Sequence, residues 1–210
     1  MTSSTSLLGA ALPAPAADLL ASITAHGGPA RAAAPHRLPD DVTTRRTSAA
    51  ALAAALAANA AAWTDLVEYQ AHSRWTHLLD PATAAAALDP ALHDDLAAAQ
   101  IWLLSWMPQQ GTPLHDHGGS AGAFAVVSGA LTELTVTDRG DGGVRDSEAA
   151  LTAGRVRPFG PHHVHQVTNT GTVPAVSVHV YEPRLTVMNT YRIAGCGLLQ
   201  TGSERAGVDW

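Results

Sequence analysis

The sequence contains no lysine: all 12 basic residues are arginine. Against 18 acidic residues this gives a net charge of −6. That balance argues against a surface for nucleic acid or anionic membrane, since both need a basic face. Cysteine is nearly absent as well. The single Cys196 excludes an intramolecular disulfide and fits a reducing compartment. No apolar run reaches 18 residues; the longest, 49–63, is mostly alanine and carries Asn59, so no spanning helix is expected. Basic charge is also missing at the front, where the first arginine is Arg31 and Pro13 and Pro15 interrupt the apolar stretch. That is not a signal-peptide pattern. A soluble, cytoplasmic protein is the expectation.

What is abundant is alanine. The 46% of apolar residues includes 42 alanines, 32 of them in residues 1–100, which leaves about a quarter of the chain as larger apolar residues, enough for a folded core. The second half must supply most of that core. Residues 1–46 read as a disordered start, a short helix over 16–25 ending at Gly27-Gly28, and a proline-bearing linker over 29–46. A single domain is expected over 47–210. Thr47 or Ser48 can cap a helix whose apolar face is Leu52, Leu56, Trp63 and Leu66. From Ile101 the pattern turns to short strands: 101–106, 123–127, 131–137, 155–159, 164–168, 175–182 and 185–192, with a turn at 138–143. Turn residues every eight to twelve positions indicate a small β-barrel or jelly-roll, placed here at about 99–194 and preceded by α-helices.

Six of the 11 histidines fall between positions 115 and 179. His115 and His117 are two apart, so on a strand both point to one face. His165 comes from a later strand. Three imidazoles arranged this way can hold one metal ion, and imidazole suits Fe, Zn, Cu or Ni alike. His163 shares a strand face with His165 and is the alternative third ligand. The segment 177–181 alternates polar and apolar, putting Ser177, His179 and Tyr181 on one face. Such a row is a half-buried strand with a polar face, or a relay that orients a tyrosine hydroxyl.

Gly129 and Asn169 sit where the two motifs of the cupin barrel place a glycine and an asparagine, so the chain resembles a cupin. The glutamate ligand of the common cupin is missing, with Ala121 and Gly122 in its place. PLHDHGGSAGAF, SGALTE, HHVHQVTN and PAVSVHVYEP, taken in order, resemble the cysteine dioxygenase family of thiol dioxygenases over residues 63–193. The resemblance implies Fe(II) held by His115, His117 and His165, a Ser177-His179-Tyr181 relay, and oxidation of a small thiol by O2 to its sulfinic acid. Cysteine is the first-choice substrate; 3-mercaptopropionate and cysteamine are alternatives. In animal members a cysteine is cross-linked to the active-site tyrosine. Gly122 occupies that position here, as glycine does in bacterial members, so no cross-link is expected.

The family's carboxylate-binding arginine aligns with His77, leaving Arg74 nearby as the candidate, with Arg184 and Arg192 as further possibilities. Two readings from other classes stand beside the dioxygenase: a cupin with zinc or nickel running an isomerase or hydrolase reaction, and a non-catalytic small-molecule-binding cupin. The implied partner is a small thiol, with no nucleic acid and no membrane. The sequence does not specify an oligomeric state, and a monomer is compatible with it.

Overall fold

The computed structural model describes residues 40–139, 143–195 and 197–209. The expected disordered start, the helix at 16–25, most of the linker and Cys196 lie outside them. Helix α1 (Asp40–Ala58) is followed by two 3-10 turns, strand β1 (Trp75–Leu78), α2 (Pro81–Ala86), α3 (His93–Ala98) and β2 (Gln100–Trp106). Then come β3 (Leu114–His115), β4 (Ala121–Ser128), β5 (Ala130–Asp138), β6 (Val144–Thr152), β7 (Val156–Phe159) and β8 (Val164–Thr168). The last strands are β9 (Ala175–Glu182), β10 (Val187–Ala194) and β11 (Gly197–Arg205).

The strands form two antiparallel sheets, ordered β1-β2-β9-β4-β7 and β11-β10-β3-β8-β5-β6. The protein is therefore mainly β, as the turn spacing indicates. No helix among the described residues is long and apolar enough to cross a membrane.

The first sheet is buried on both faces. Leu52, Leu56 and Trp63 pack with Leu103, Ala123, Val178 and Val180 on its outer side, where α1 lies across β4 and β9. Trp102, Trp106, Phe124, Tyr181 and Met188 pack on the inner side. A strand buried on both faces can hide a polar row, and β9 does so. Its even-numbered valines face the helix, and Ser177, His179 and Tyr181 are buried on the other side.

Several expected boundaries shift. The helix begins at Asp40 rather than at Thr47 or Ser48, because 40–46 contains neither proline nor glycine to stop it. It ends at Ala58. Trp63 remains buried, its indole N–H donating to the Leu56 carbonyl at 3.0 Å, but Leu66 lies in a 3-10 turn and is 39% exposed. The apolar stripe thus spans a helix and two turns, not one long helix. Strand β6 goes unseen in the sequence because nearly all of it is exposed, without the alternation of a half-buried strand. Strand β11 likewise carries the second sheet past the expected limit, to Arg205.

Candidate metal centre

His115 ends β3 and His165 stands directly opposite it on β8. His117 follows on the turn after β3 rather than on a strand, yet it reaches the same place. One ligand nitrogen from each of the three lies within 4.8 Å of the others. All three residues are buried, and Nε2 of His117 and Nε2 of His165 are 3.3 Å apart.

Burial, reinforced by neighbouring histidines, lowers the proton affinity of all three rings. They are therefore neutral and offer lone pairs. Their orientation is fixed from behind. His115 donates its Nδ1–H to the Pro113 carbonyl at 2.9 Å. His165 donates its Nδ1–H to Oε1 of Glu133 at 2.8 Å. Each bond leaves Nε2 as the free nitrogen. The His117 Nδ1 is buried without a hydrogen-bond partner, and its ring stacks on Phe159 with centroids 4.5 Å apart.

Three neutral imidazoles turning nitrogens onto one buried point are a donor set fitted to a single metal ion. A second grouping, Glu133, His163 and His165, is also close enough. Its donor atoms are already hydrogen-bonded to one another and to Arg157, so the first set is the better fit.

The wall beside the histidines is built by β9. Ser177 Oγ accepts the indole N–H of Trp106 at 2.9 Å and lies 2.9 Å from Nε2 of His179. Trp106 can only donate, so the buried serine proton is directed to His179, whose own proton then sits on Nδ1. Burial holds His179 down to about 3, making it neutral. It stacks on Phe124 at 5.0 Å. The next ring, Tyr181, lies 6.4 Å from His179, centroid to centroid, and burial raises its hydroxyl far above the usual tyrosine range. The structure thus shows the Ser177–His179 half of the relay as a hydrogen bond and His179–Tyr181 as a ring contact.

A cavity opens onto this wall, lined by His115, His165, His179, Tyr181, Arg74, Thr112 and the apolar Trp102, Leu104, Trp106, Val167 and Met188. Among the described residues that line it, Arg74 is the one with a permanent charge and none is a carboxylate. Burial lowers the proton affinity of the guanidinium, and nearby Tyr181 and Glu204 partly offset this. His77 is elsewhere: it stacks on Trp75 at 5.4 Å and 3°, and Trp75 belongs to the core on the helix side of the sheet. Arg184 lines a separate apolar pocket over α2 and α3, and Arg192 is exposed on β10.

Glu133 is absent from the sequence expectations. It is 1% exposed and accepts from His163, His165 and Arg157. Burial alone would raise its proton affinity, but these hydrogen bonds outweigh it and hold the carboxylate well below the usual range. A sequence signal exists. Glu133 shares strand parity with Leu131 on β5, so it is a charged residue at a core-facing position.

No curated protein matches the sequence. Among solved structures, an oxalate oxidase matches with TM-score 0.44 and 16% identity, covering 55% of this chain and 54% of its own. TT1209 from Thermus thermophilus matches with TM-score 0.42 and 18% identity, over 58% of this chain and 93% of its own. An oxalate decarboxylase from Lactobacillus farciminis, as a formate complex, gives TM-score 0.43 and 16% identity over 58% and 32%. The chain spans about half the length of the oxalate oxidase it matches. The family model described as cysteine dioxygenase type I matches residues 90–193, which carry His115, His117, His165 and the β9 row. Through that stretch, just under half of its length, the chain is similar to the cysteine dioxygenase family.

Proposed function

We propose that this protein is a cupin-type thiol dioxygenase that uses non-haem Fe(II) and O2 to convert a small carboxylate-bearing thiol, cysteine first, to its sulfinic acid. The observation that carries the reading is a cluster of three neutral, buried histidines, two of which, His115 and His165, share one cavity with Arg74 and Tyr181. The reaction adds both atoms of O2 to the thiol sulfur, so RSH and O2 give RSO2H with nothing left over. When bound by His115, His117 and His165, iron would supply the point at which thiol and O2 are brought together and activated.

The chain's own residues do the rest. Arg74 takes the substrate carboxylate, since it is the one permanently charged group in the lining. Tyr181 stays protonated, because burial raises its hydroxyl, and so serves as a hydrogen-bond donor toward developing negative charge. His179, neutral and anchored by Ser177, packs behind Tyr181. The aromatic and aliphatic walls exclude water from the sulfur. 3-Mercaptopropionate, which keeps the carboxylate and lacks the amine, is the first alternative to cysteine. The proposal places the protein in the cytoplasm, needing no nucleic-acid or membrane partner.

The test is oxygen uptake by the iron-loaded protein with cysteine, 3-mercaptopropionate and cysteamine, with products weighed by mass spectrometry. Uptake with a carboxylate thiol and gain of two oxygen atoms is expected. No uptake with any of the three overturns the reading.

A further inference from the structure

Each of the three histidines meets a different group on its outer side. His115 is backed by the neutral Pro113 carbonyl, His117 by no hydrogen-bonding partner, and His165 by a buried carboxylate. The asymmetry matters because the inner donor set carries no negative charge of its own. We propose that Glu133 is the positioning residue of the metal centre, holding His165 in its Nδ1–H form and placing a carboxylate one hydrogen bond behind that ligand. The proposal rests on the reading of His115, His117 and His165 as metal ligands.

The geometry divides the carboxylate in two. Oε1 takes His165 Nδ1–H at 2.8 Å and His163 Nε2 at 2.9 Å, while Oε2 takes Arg157 Nε at 2.5 Å. Its side chain is fully buried, whereas that of Arg157 is 37% exposed. Solvent therefore screens the guanidinium, while the carboxylate beside His165 stays in a low-dielectric setting. A histidine that donates to a carboxylate is a stronger metal ligand with a fixed ring.

The same division shows what a neutral replacement does. In Glu133→Gln, the amide nitrogen must face either Arg157 or the two histidines. Facing Arg157 sets donor against donor. Facing the histidines requires His165 to accept at Nδ1, which moves its proton to Nε2 and blocks the nitrogen aimed at the metal. A change from Glu to Gln therefore weakens the site even though the side-chain volume is kept.

The experiment titrates Co(II), and Fe(II) under anaerobic conditions, into the full chain against a chromophoric chelator. The parent is compared with Glu133→Gln, Glu133→Asp and His163→Gln. Nitrogen-15 spectra of histidine-labelled, metal-free protein report the His165 tautomer separately. The expected result is one ion per parent chain, a loss of affinity of roughly 10–100-fold in Glu133→Gln, partial recovery in Glu133→Asp, and little change in His163→Gln. The parent should show His165 as Nδ1–H, and Glu133→Gln should show a larger share of the Nε2–H form.

Stoichiometric binding by the parent with unaltered affinity and tautomer in Glu133→Gln overturns the role of Glu133 alone. A loss in His163→Gln as large as in Glu133→Gln reduces Glu133 to packing and overturns it too. Absence of binding by the parent overturns the metal centre itself. If Glu133→Gln does not fold, the parent tautomer and the contrast between Glu133→Asp and His163→Gln decide the matter, with affinity unchanged in Glu133→Asp counting against a role that depends on reach.

Discussion

Gly122 on β4 stands directly opposite Tyr181 on β9 in the antiparallel register. A Cβ at Gly122 would overlap the Val180 carbonyl oxygen and lie 2.8 Å from Cζ of Phe159. The glycine is therefore demanded by packing, and a side chain of any kind beside Tyr181 requires β4 or β9 to move. Gly122→Cys is expected to destabilise the protein by about 3 kcal/mol, at the upper end of ordinary overpacking, and to show no mass loss of two hydrogens from a cross-link to Tyr181. Urea unfolding and intact mass check both; a variant as stable as the parent counts against the close approach.

Much of this is legible in the sequence, but unevenly. His115 and His165 stand out through spacing and through motifs, and β9 through its strict alternation. What alternation cannot tell is whether the opposite face is solvent or a helix, so the row of Ser177, His179 and Tyr181 reads equally well as a wet face. Here α1 covers the valines and the row is interior. Glu133 escapes notice because a single glutamate among threonines resembles a solvent-facing residue. Its parity with Leu131 marks it as core-facing, but its link to the histidines comes from the pairing of β5 with β8. The pairing of Arg74 with the cavity and His77 with Trp75 follows from strand parity. Since Trp75 is buried against the helix-side core, its period-two mate His77 goes with it and the even-numbered positions face inward.

That parity yields a functional prediction. Arg74→Gln should lower kcat/KM for carboxylate thiols by roughly 10–100-fold, the loss of one charge-assisted hydrogen bond, with metal affinity unchanged. His77→Gln should leave kcat/KM within about twofold, since its ring lies outside the cavity. Steady-state oxygen uptake separates them. A larger loss from His77→Gln than from Arg74→Gln would reverse the assignment.

Ser177 sits at the joint of two buried hydrogen bonds. Ser177→Ala strands the Trp106 indole N–H and the His179 Nε2 together. An unsatisfied buried polar group costs about 1–3 kcal/mol, so with two of them a stability loss of about 2–6 kcal/mol is expected from denaturant titration. His179 also loses the group that fixes its proton on Nδ1, and its histidine nitrogen-15 signals should report mixed tautomers. An unchanged tautomer would show that Ser177 does not set the position of the His179 proton.

The buried histidines also set how the metal-free protein responds to acid. His115, His117, His165 and His179 all have proton affinities lowered by burial, His179 to about 3. In the unfolded chain each would titrate near 6.5. Above that value neither state binds the proton, and the folded state keeps its full stability. As pH falls below about 6.5 the unfolded chain takes up protons that the folded protein refuses, so stability drops by up to about 1.4 kcal/mol per pH unit for each histidine. For His179 the loss runs from about 6.5 down to about 3. Glu133, held low by its partners, acts in the same direction but only below its usual carboxylate range. Where these titrations overlap their slopes add, so the loss steepens below about pH 6.5. Urea midpoints of the metal-free protein should therefore be flat from pH 8 to pH 7 and fall steeply below pH 6.5. His179→Gln should remove about one proton from the slope. A midpoint that stays level to pH 5 would mean that these rings already carry protons in the folded state and cannot be the neutral donors the site requires.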